Sequence, residues 1–520
     1  MSSYIGITIG PIIDTLILAH SPAAMWYASF MFSSLTENIC ERISQKTGKP
    51  EKIISPFFDA GLNLKKDGIG RYHDRLIVEG LSLEDAKTIA EESKEYIAEN
   101  VAKHLGKEDK EKDDAVKFVK DYLQVHIVEM NIDDGINPIL AIGKKLDALE
   151  LMVSPNPDNT NNPFVELFKG RDYRNDIVIE RLKEIAGSQL KKGGRLKSIT
   201  DVACPRDHFV KNKDGKEEDE RTLKREYYYA VVEADGDKMG TYINSLKTDE
   251  LRAFSKRCMD CAGKSAEIIG KYGGMTVYAG GDDLLFLAPV DNEDSKLTVK
   301  AKDKEGNETE KPVKTVYGLC KVLSDEFKKN IKDGTETTGE TPTLSFGIAV
   351  RREKFPLYEA LNAALEALLF AAKDDKIGRD AMAIDFEKGS GQGIKMLIPF
   401  GEYECFDKIS DLYSNGASDD NLKSAIYAIE RSAELFKKAL EDPKIAENVI
   451  KNTFDNEGQK KYEKFLKNYT DCFKDFINRP KILALGTDML KDQSAGYLRI
   501  IAFENMLRLS KFMLEKKGEE

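Results

Sequence analysis

Residues 227–237 read YYYAVVEADGD and residues 275–288 read MTVYAGGDDLLFLA, and between them they set the architecture of the chain. The run from Tyr227 to Ala234 is aromatic and β-branched, which is typical of a buried strand. The second stretch has apolar runs on either side of Gly-Gly-Asp-Asp, and this pattern predicts a β-hairpin. A helix with apolar residues at helical spacing is expected from about Asp249 to Gly270. The order is therefore strand, helix, strand, strand.

The same architecture continues toward the C-terminus. A helix is predicted near Val316–Ile331, then a strand over Thr343–Val350, and then a periodic helix that follows Pro356 and runs to Ala372. Residues 226–395 thus read β-α-β-β-α-β-α, which is close to a ferredoxin-like plan. The expected fold class is α+β.

Other parts of the chain are simpler to describe. A short strand at Tyr4–Ile9 precedes a helix over about residues 25–43, and residues 76–104 and 110–130 are predicted to be helical. Residues 397–520 are rich in Ala, Leu, Lys and Glu and are also predicted to be helical. Residues 154–159 are expected to be a loop and residues 205–226 a linker or long surface loop. The charged insertion 291–314 is expected to be solvated and mobile.

The composition excludes several classes of protein. The 520 residues include 79 Lys and Arg and 90 Asp and Glu, a net charge of −11, which argues against a chain that coats nucleic acid by itself. The most apolar stretch, residues 4–32, is interrupted by Pro11, Asp14 and Pro22 and does not resemble a membrane span. Seven scattered cysteines indicate reduced thiols, so a cytoplasmic location is expected.

Two acidic clusters stand out at predicted strand ends. Asp235 and Asp237 follow the first strand, and Asp282 and Asp283 occupy the hairpin turn. If the strands are neighbours, these four carboxylates meet at one edge of the sheet and repel each other. A divalent cation would remove that repulsion, and Mg²⁺ prefers a few carboxylates together with water and phosphate. Two such ions can align an attacking hydroxyl with an α-phosphate.

Glycines and lysines near these clusters fit the same interpretation. Gly236, Gly280 and Gly281 would let the backbone turn tightly and approach a ligand closely. Lys238 and Lys373 are candidate counter-charges for a triphosphate. The alternative is ordinary turn chemistry, which each motif alone would satisfy. The presence of both motifs, one helix apart in the same pattern, favours the metal site.

These motifs resemble the second Palm domain of the Cas-ten family, the large subunits of type III CRISPR RNA-guided complexes. The similarity spans most of residues 1–395 and is weak in the helical tail. Further matches favour the type III-B, or Cmr, branch: residues 8–11, Ser29, Ser33, Ser55-Pro56, residues 70–75, residues 345–349 and Ala372-Lys373.

The resemblance implies two facing Palm domains of ferredoxin-like fold. It divides the chain into a degenerate first Palm with a helical insertion (1–200), a linker or surface loop (201–225), a second Palm (226–396) and a C-terminal helical domain (397–520). It also implies ATP as substrate, two Mg²⁺ or Mn²⁺ ions and a second messenger, usually cyclic oligoadenylate. Partner subunits of the Cmr-type complex would hold most of the guide and target RNA.

Site roles also follow from the resemblance. Asp235 and Asp282 would be the main metal ligands, and Asp283 would assist them. Gly236, Ser345 and Lys373 would contact nucleotide. Asp237 and Lys238 complete the candidate nucleotide-binding set, together with the hairpin glycines 280 and 281.

Different functions also stay open. Some short relatives join AMP to S-adenosylmethionine, so that molecule is a possible co-substrate. A non-catalytic scaffold subunit and a stand-alone diguanylate cyclase are two further hypotheses. The Palm strand at Tyr4 leaves no expected room for an HD nuclease, although His73-Asp74 is a His-Asp pair. The single CxxC motif, Cys258 to Cys261, lacks the second pair that a structural zinc site needs. A basic patch, residues 191–197, could contact RNA but is better explained as a solvated loop.

Overall fold

The structure is a computed structural model and describes residues 2–59, 68–152, 163–164, 190–191, 195–204, 209–211, 217–219, 227–302, 307–332, 340–374, 379–415, 417–453, 463–485 and 495–518. The chain forms two compact units. The first comprises residues 1–344 with 350–364, and the second comprises residues 345–349 with 365–520. The predicted loop at 154–159 lies outside the described residues, and the domain boundaries proposed from the sequence remain a prediction.

The first unit begins with a four-stranded sheet. Its strands are β1 (Ser2–Gly10), β2 (Ile53–Ser55), β3 (Arg75–Glu79) and β4 (Gln124–Ile132), in the order β2-β3-β1-β4. Strand β1 is antiparallel to both β3 and β4. The accompanying helices are α1 (Ile12–Ile17), α2 (Pro22–Thr47), α3 (Leu83–His104), α4 (Asp109–Tyr122) and α5 (Pro138–Glu150).

Helix α2 is the central packing element of this sheet. The Ala24 amide donates to the hydroxyl of Ser21, and Pro22 occupies the first helical position, so local chemistry sets where the helix begins. Trp26 is fully buried, and its indole donates to the carbonyl of Gly68 over 2.8 Å. The helix predicted over residues 25–43 is confirmed.

Two of the helical predictions were partly wrong. Residues 75–79 form β3, so the helix predicted from residue 76 begins at Leu83. Residues 124–132 form β4, so the helix predicted over 110–130 ends at Tyr122. Strand β3 is a short apolar run, whereas β4 mixes polar and apolar residues, and in both cases a partner strand from elsewhere in the chain decides the conformation.

A second sheet repeats this strand order. Its strands β9 (Tyr228–Asp237), β10 (Met275–Gly280), β11 (Asp283–Pro289) and β14 (Thr343–Arg352) lie in the order β10-β11-β9-β14. Matched in chain order, both sheets have the ferredoxin-like sequence second-third-first-fourth. The helices of this part are α7 (Met239–Ser245), α8 (Thr248–Tyr272), α9 (Val316–Lys332) and α10 (Leu357–Ala367). The α+β class with two ferredoxin-like sheets is confirmed.

Small ordered elements occur where loops were predicted. Strands β5 (Leu190–Lys191) and β6 (Arg195–Leu196), helix α6 (Ile199–Ala203), and strands β7 (Phe209–Lys211) and β8 (Glu217–Asp219) precede the second sheet. The rest of the predicted 205–226 loop lies outside the described residues. The insertion at 291–314, expected to be solvated, contains an antiparallel ribbon of β12 (Thr298–Lys302) and β13 (Glu308–Pro312), and β13 is largely exposed. In the basic patch, Lys197 donates to the carbonyl of Gly274.

The second unit is mainly helical, as predicted for residues 397–520. Its strands β15 (Ala381–Glu387), β16 (Gly393–Pro399) and β17 (Leu483–Ala484) follow β14 in the order β14-β15-β16-β17. Its helices are α11 (Tyr403–Ser410), α12 (Asp419–Arg431), α13 (Ala433–Ala439), α14 (Pro443–Thr453), α15 (Glu463–Ile477) and α16 (Ala495–Gly518). Among the described residues, no helix has the length and apolar character needed to cross a bilayer.

Candidate functional site

The register of the second sheet brings the two acidic clusters together. Strand β9 runs to Asp237, so the acidic residues form its last positions and the predicted end at Ala234 was three residues short. Strand β11 pairs antiparallel with β9, with Leu284 opposite Ala234. Continued by one and two residues, this register sets Asp283 opposite Asp235 and Asp282 opposite Gly236. The meeting of clusters expected from the sequence is therefore present.

Two glycines make this arrangement possible. A Cβ on Gly236 would lie 2.6 Å from Oδ2 of Asp282, so only a residue without a side chain lets that carboxylate approach the strand. Gly281, in the two-residue turn between β10 and β11, has a φ of 65°, which glycine adopts readily. The hairpin thus presents Asp282 and Asp283 side by side.

Asp282 and Asp283 border a cavity of about 410 Å³ inside the first unit. The hairpin turn forms one wall, and helices α5, α7 and α8 contribute apolar residues such as Leu146, Met239 and Phe254. The opposite wall comes from the first sheet and the segment that precedes β3. Asp235 is half-buried and is not one of the lining residues.

The segment before β3 occupies the position in the first sheet that the acidic hairpin occupies in the second. Gly70 forms a bridge with Tyr278, and the Ala279 amide donates to the Gly70 carbonyl over 3.0 Å. This contact places His73 and Asp74 at the cavity. His73 is not part of a nuclease-like cluster in the described residues. Its Nε2 lies 3.1 Å from the hydroxyl of Ser55, and burial lowers its pKa to about 4, so the ring is neutral at pH 7.

The cavity concentrates carboxylates whose charges oppose each other. Burial raises the pKa of Asp282, and the nearby Asp74 raises it further. Burial also raises the pKa of Asp283 well above its usual range, and Asp282, Asp74 and Glu233 all add to this effect. Asp74 itself has a raised pKa, chiefly because of burial. Arg75 borders the same cavity but already pairs with Glu150 over 2.6 Å.

Glu233 is a member of this acidic group that the sequence analysis missed. Its Oε2 is buried without a hydrogen-bond partner, and burial raises the pKa of the carboxyl to about 7. A signal was present, because residues 233, 235 and 237 alternate along a strand and share one face. Only the last two had been considered. Ser55, His73 and Asp74 had been noted as motif matches without a role in the site.

The chemistry of these side chains fits a divalent cation. Asp282, Asp283 and nearby Asp74 offer hard oxygen donors. Burial, followed by neighbouring carboxylates, raises the pKa values of Asp282 and Asp283, and a bound cation would stabilise their charged forms. Within the described residues, however, no three His, Cys, Asp or Glu side chains converge as a complete metal-binding group. An ion held here would therefore depend on two carboxylates together with water and phosphate oxygens.

The remaining predicted site residues are found in different settings. Asp237 is 1% exposed and accepts a hydrogen bond from the Thr343 hydroxyl over 2.6 Å, so it is tied to the start of β14. Lys238 is exposed and pairs with Glu340. Ser345 and Lys373 belong to the second unit. Ser345 is fully buried in β14, and burial together with Arg379 lowers the pKa of Lys373 to about 8.

The two cysteines of the CxxC motif are buried in helix α8. Cys258 borders the cavity, and burial raises the pKa of its thiol well above the usual value. The thiol is consequently neutral at pH 7 and is poorly suited as a nucleophile.

Comparisons with known proteins agree with this architecture. Residues 228–383 match the family described as Cas10/Cmr2, second palm domain. A 197-residue segment is 28% identical to the CRISPR system Cmr subunit Cmr2 of Pyrococcus furiosus, and the match covers 33% of this chain and 20% of that relative. The chain thus spans only a fifth of the curated relative's length.

Two solved structures share the fold. One is the type III-B Cmr-beta complex in its apo state, with a TM-score of 0.54 and 11% identity over 87% of this chain and 77% of that chain. The other is a Csm1–Csm4 cassette in complex with pppApA, with a TM-score of 0.51 and 15% identity over 99% of this chain and 69% of that chain. These similarities concern the fold.

The paired ferredoxin-like sheets and the acidic hairpin form a palm-type fold. Residues 228–383 are similar to the second palm domain of the Cas10/Cmr2 family, in agreement with the resemblance seen in the sequence.

Proposed function

We propose that this chain is the nucleotidyltransferase subunit of a type III CRISPR complex and converts ATP into cyclic oligoadenylate. The observation that carries the proposal is the position of Asp282 and Asp283, which the close approach to Gly236 holds at the cavity of a Cas10/Cmr2 palm domain. Burial first and neighbouring carboxylates second raise the pKa values of these two side chains, which disfavours their charged forms unless a cationic ligand compensates them. Such groups concentrate at functional sites.

The proposed reaction joins two nucleotides. The 3′-hydroxyl oxygen of one ATP forms a bond with the α-phosphorus of another, the bond from that phosphorus to the pyrophosphate oxygen breaks, and the hydroxyl proton is released. Mg²⁺ or Mn²⁺, when bound, supplies charge neutralisation and lowers the pKa of the attacking hydroxyl. Asp282 and Asp283 would hold the ions, with Asp235 as the third candidate ligand.

Other residues of the chain would bind and orient the nucleotides. Gly236 leaves room for the carboxylates at the strand end. Lys238 could exchange its exposed partner Glu340 for a triphosphate, because an exposed ion pair contributes only about 0–1 kcal/mol. Ser345 and Lys373 remain candidates for nucleotide contact from the second unit.

The wider assignment is supported by the relatives. The Csm1–Csm4 cassette of similar fold was solved with pppApA, a linear adenylate bearing a triphosphate. The Pyrococcus relative is a Cmr subunit. We therefore propose that this chain assembles with other subunits of a Cmr-type complex, which carry most of the guide RNA, and that target RNA switches its synthesis on.

The central test replaces both hairpin carboxylates. In the complex purified with target RNA, Asp282→Ala with Asp283→Ala should abolish conversion of ATP to oligoadenylate while assembly is retained. Asp260→Ala is the matched control, because Asp260 is an exposed carboxylate on α8 that pairs with Lys256. Unchanged ATP consumption in the double variant would contradict the proposal.

Product identity completes the test. Mass spectrometry of reactions with ATP alone, with ATP and S-adenosylmethionine, and with GTP separates three products of the same chemistry. Oligoadenylate in the first two reactions supports the proposal, whereas an AMP conjugate of S-adenosylmethionine or a preference for GTP would replace it. If the wild-type complex binds target RNA but neither binds nor consumes ATP with Mg²⁺, the chain acts as a scaffold.

A further inference from the structure

A second cavity, of about 260 Å³, lies within the second unit. Three elements form it: the β15–β16 hairpin, helix α12 and helix α16. Its polar rim carries the cations Lys388, Lys423, Arg508 and Lys511. The proposed palm chemistry makes no use of this cavity, and its residues belong to no motif recognised in the sequence.

The lining of this cavity is positively charged. Glu430 is the acidic residue among the lining residues, against four cations. Asp419, which does not line the cavity, pairs with Lys423 and Lys511. Arg508 pairs with Glu430, which lines the cavity, over 2.5 Å and with Glu504, which does not, over 2.7 Å. Arg508 is therefore largely neutralised at the cavity, and the three lysines supply its excess positive charge.

The rest of the cavity lining is largely apolar and aromatic. Phe386, Ile394 and Ile426 line it, and the ring of Phe386 packs on Phe512 with centroids 4.7 Å apart. Lys388 lies 5.6 Å from the centroid of Phe512, which orients its ammonium group. Tyr427 also lines the cavity and is 67% exposed, so most of its ring is available to a ligand.

An aromatic surface beside several cations matches the chemistry of a nucleotide. A base can stack on an exposed ring, and a phosphate can bind Lys and Arg through charge-assisted hydrogen bonds. We infer that this cavity binds one nucleoside phosphate, with the base against Tyr427 and the phosphate among Lys388, Lys423 and Lys511. The source is a free nucleotide or one nucleotide of a single-stranded RNA. This inference does not depend on the proposed palm activity.

The first experiment measures binding by the full chain. Fluorescence anisotropy follows a fluorescein-labelled octa-adenylate RNA in buffer with EDTA, which removes binding that requires a divalent ion. Lys388→Ala with Lys423→Ala should weaken binding by about tenfold. It should also reduce the slope of log K against log salt concentration by about 0.7, the value for one phosphate contact on a single strand. Tyr427→Ala should weaken binding at least fivefold, since stacking contributes about 1–3 kcal/mol per base.

Lys451→Ala is the matched control. Like Lys423, Lys451 is an exposed lysine paired with an acidic residue four positions earlier, but it lies on α14 outside the cavity. Equal affinity for the control and the cavity variants would overturn the inference, as would a wild type that binds neither the RNA nor AMP. Displacement of the RNA by polyglutamate as readily as by polyadenylate would indicate an acidic-peptide site and also overturn it.

A second experiment locates the ligand and identifies its source. Lysine acylation read by mass spectrometry should show protection of Lys388, Lys423 and Lys511, but not of Lys451, when ligand is present. Protection by AMP identifies a free nucleotide as a sufficient ligand, and protection by RNA alone identifies a strand. Unchanged acylation with both probes would overturn the inference.

Discussion

At the end of strand β9, the side chain of Asp282 packs directly against the backbone of Gly236. A Cβ at position 236 would meet the Asp282 carboxylate at 2.6 Å and Met239 at the same distance. Any side chain would push the carboxylate out of the cavity. The proposed metal site therefore depends on a residue that contributes no functional group.

Gly236→Ala should lose most of the ATP-dependent synthesis and cost about 1–3 kcal/mol of stability, because the added methyl overpacks the strand end. Gly240→Ala is a suitable control, since a Cβ there meets nothing within 4 Å and the position lies in helix α7. Product assays and thermal unfolding of both variants provide the measurement. Full activity in Gly236→Ala would show that the close approach has no functional importance.

Glu233 allows a pH-dependent test. Burial raises its pKa from 4.5 to about 7, so between those values the folded chain holds a proton that the unfolded chain has released. The free energy of unfolding should therefore fall as pH rises through this window. His73 has the opposite effect, because its pKa falls from 6.5 to about 4 and unfolding then favours proton uptake.

Glu233→Gln should remove the fall in unfolding free energy that Glu233 causes and leave the contribution of His73 in place. At pH 8 the variant should be more stable than the wild type by up to about 3 kcal/mol, the value of 2.5 pKa units, and near pH 5 the difference should be small. Glu310→Gln, on the exposed ribbon strand β13, should show no such contrast. Thermal unfolding at the two pH values measures this difference. An equal change in stability at both pH values would contradict a raised pKa at Glu233.

At the scale of elements, a hydrogen bond joins the end of β9 to the start of β14. The Thr343 hydroxyl donates to buried Asp237 over 2.6 Å. Thr343→Val keeps the shape of the side chain but removes this donor, so we expect a loss of about 1–3 kcal/mol. Thr298→Val, whose hydroxyl meets Glu310 on the exposed ribbon, should cost far less. Denaturant unfolding compares the two, and equal losses would be inconsistent with a role for Asp237 in fixing the strand end.

Local sequence was sufficient to predict some elements but not others. The β10–β11 hairpin, the long helices α2 and α8, and the meeting of Asp235 with the hairpin carboxylates all followed from periodicity and turn chemistry. Strands β3 and β4 did not, because β3 is buried between β2 and β1 and its continuous apolar run also fits a helix. Strand β4 pairs with residues more than 100 positions away, and no local pattern encodes that partner.

The same limit applied to the candidate site. The acidic hairpin of the site could be predicted from the sequence, because the candidate ligands and the turn residues lie in one motif. The placement of Ser55, His73 and Asp74 at the cavity could not be predicted, because it depends on a contact between two sheets that neither sequence segment encodes. Glu233 was overlooked although its alternation with Asp235 was visible in the sequence.

At the scale of the molecule, helix α2 links the two sheets of the first unit. Ser33 accepts the buried Tyr72 amide over 2.8 Å and packs against Gly70, whose carbonyl accepts the Ala279 amide of the acidic hairpin. Ser33→Ala leaves the Tyr72 amide without this acceptor, at a cost of about 1–3 kcal/mol. Amide exchange over residues 275–283 should then rise by about fivefold or more.

Hydrogen exchange with mass spectrometry of the full chain measures this effect. Ser34→Ala, one position along the same helix and half-buried, is the control and should leave the exchange of residues 275–283 unchanged. A Ser33→Ala chain with normal hairpin exchange would show that the two sheets are not coupled through this contact.

The bridge between Gly70 and Tyr278 also bears on how such chains can recombine. The hairpin with the proposed catalytic carboxylates completes its backbone hydrogen bonds with a segment about 200 residues upstream. A hybrid that took residues 228–383 from one relative and the preceding sequence from another would have to form this backbone pairing between two surfaces that did not evolve together. The two sheets should therefore be exchanged together. Junctions in designed hybrids are best placed outside both sheets.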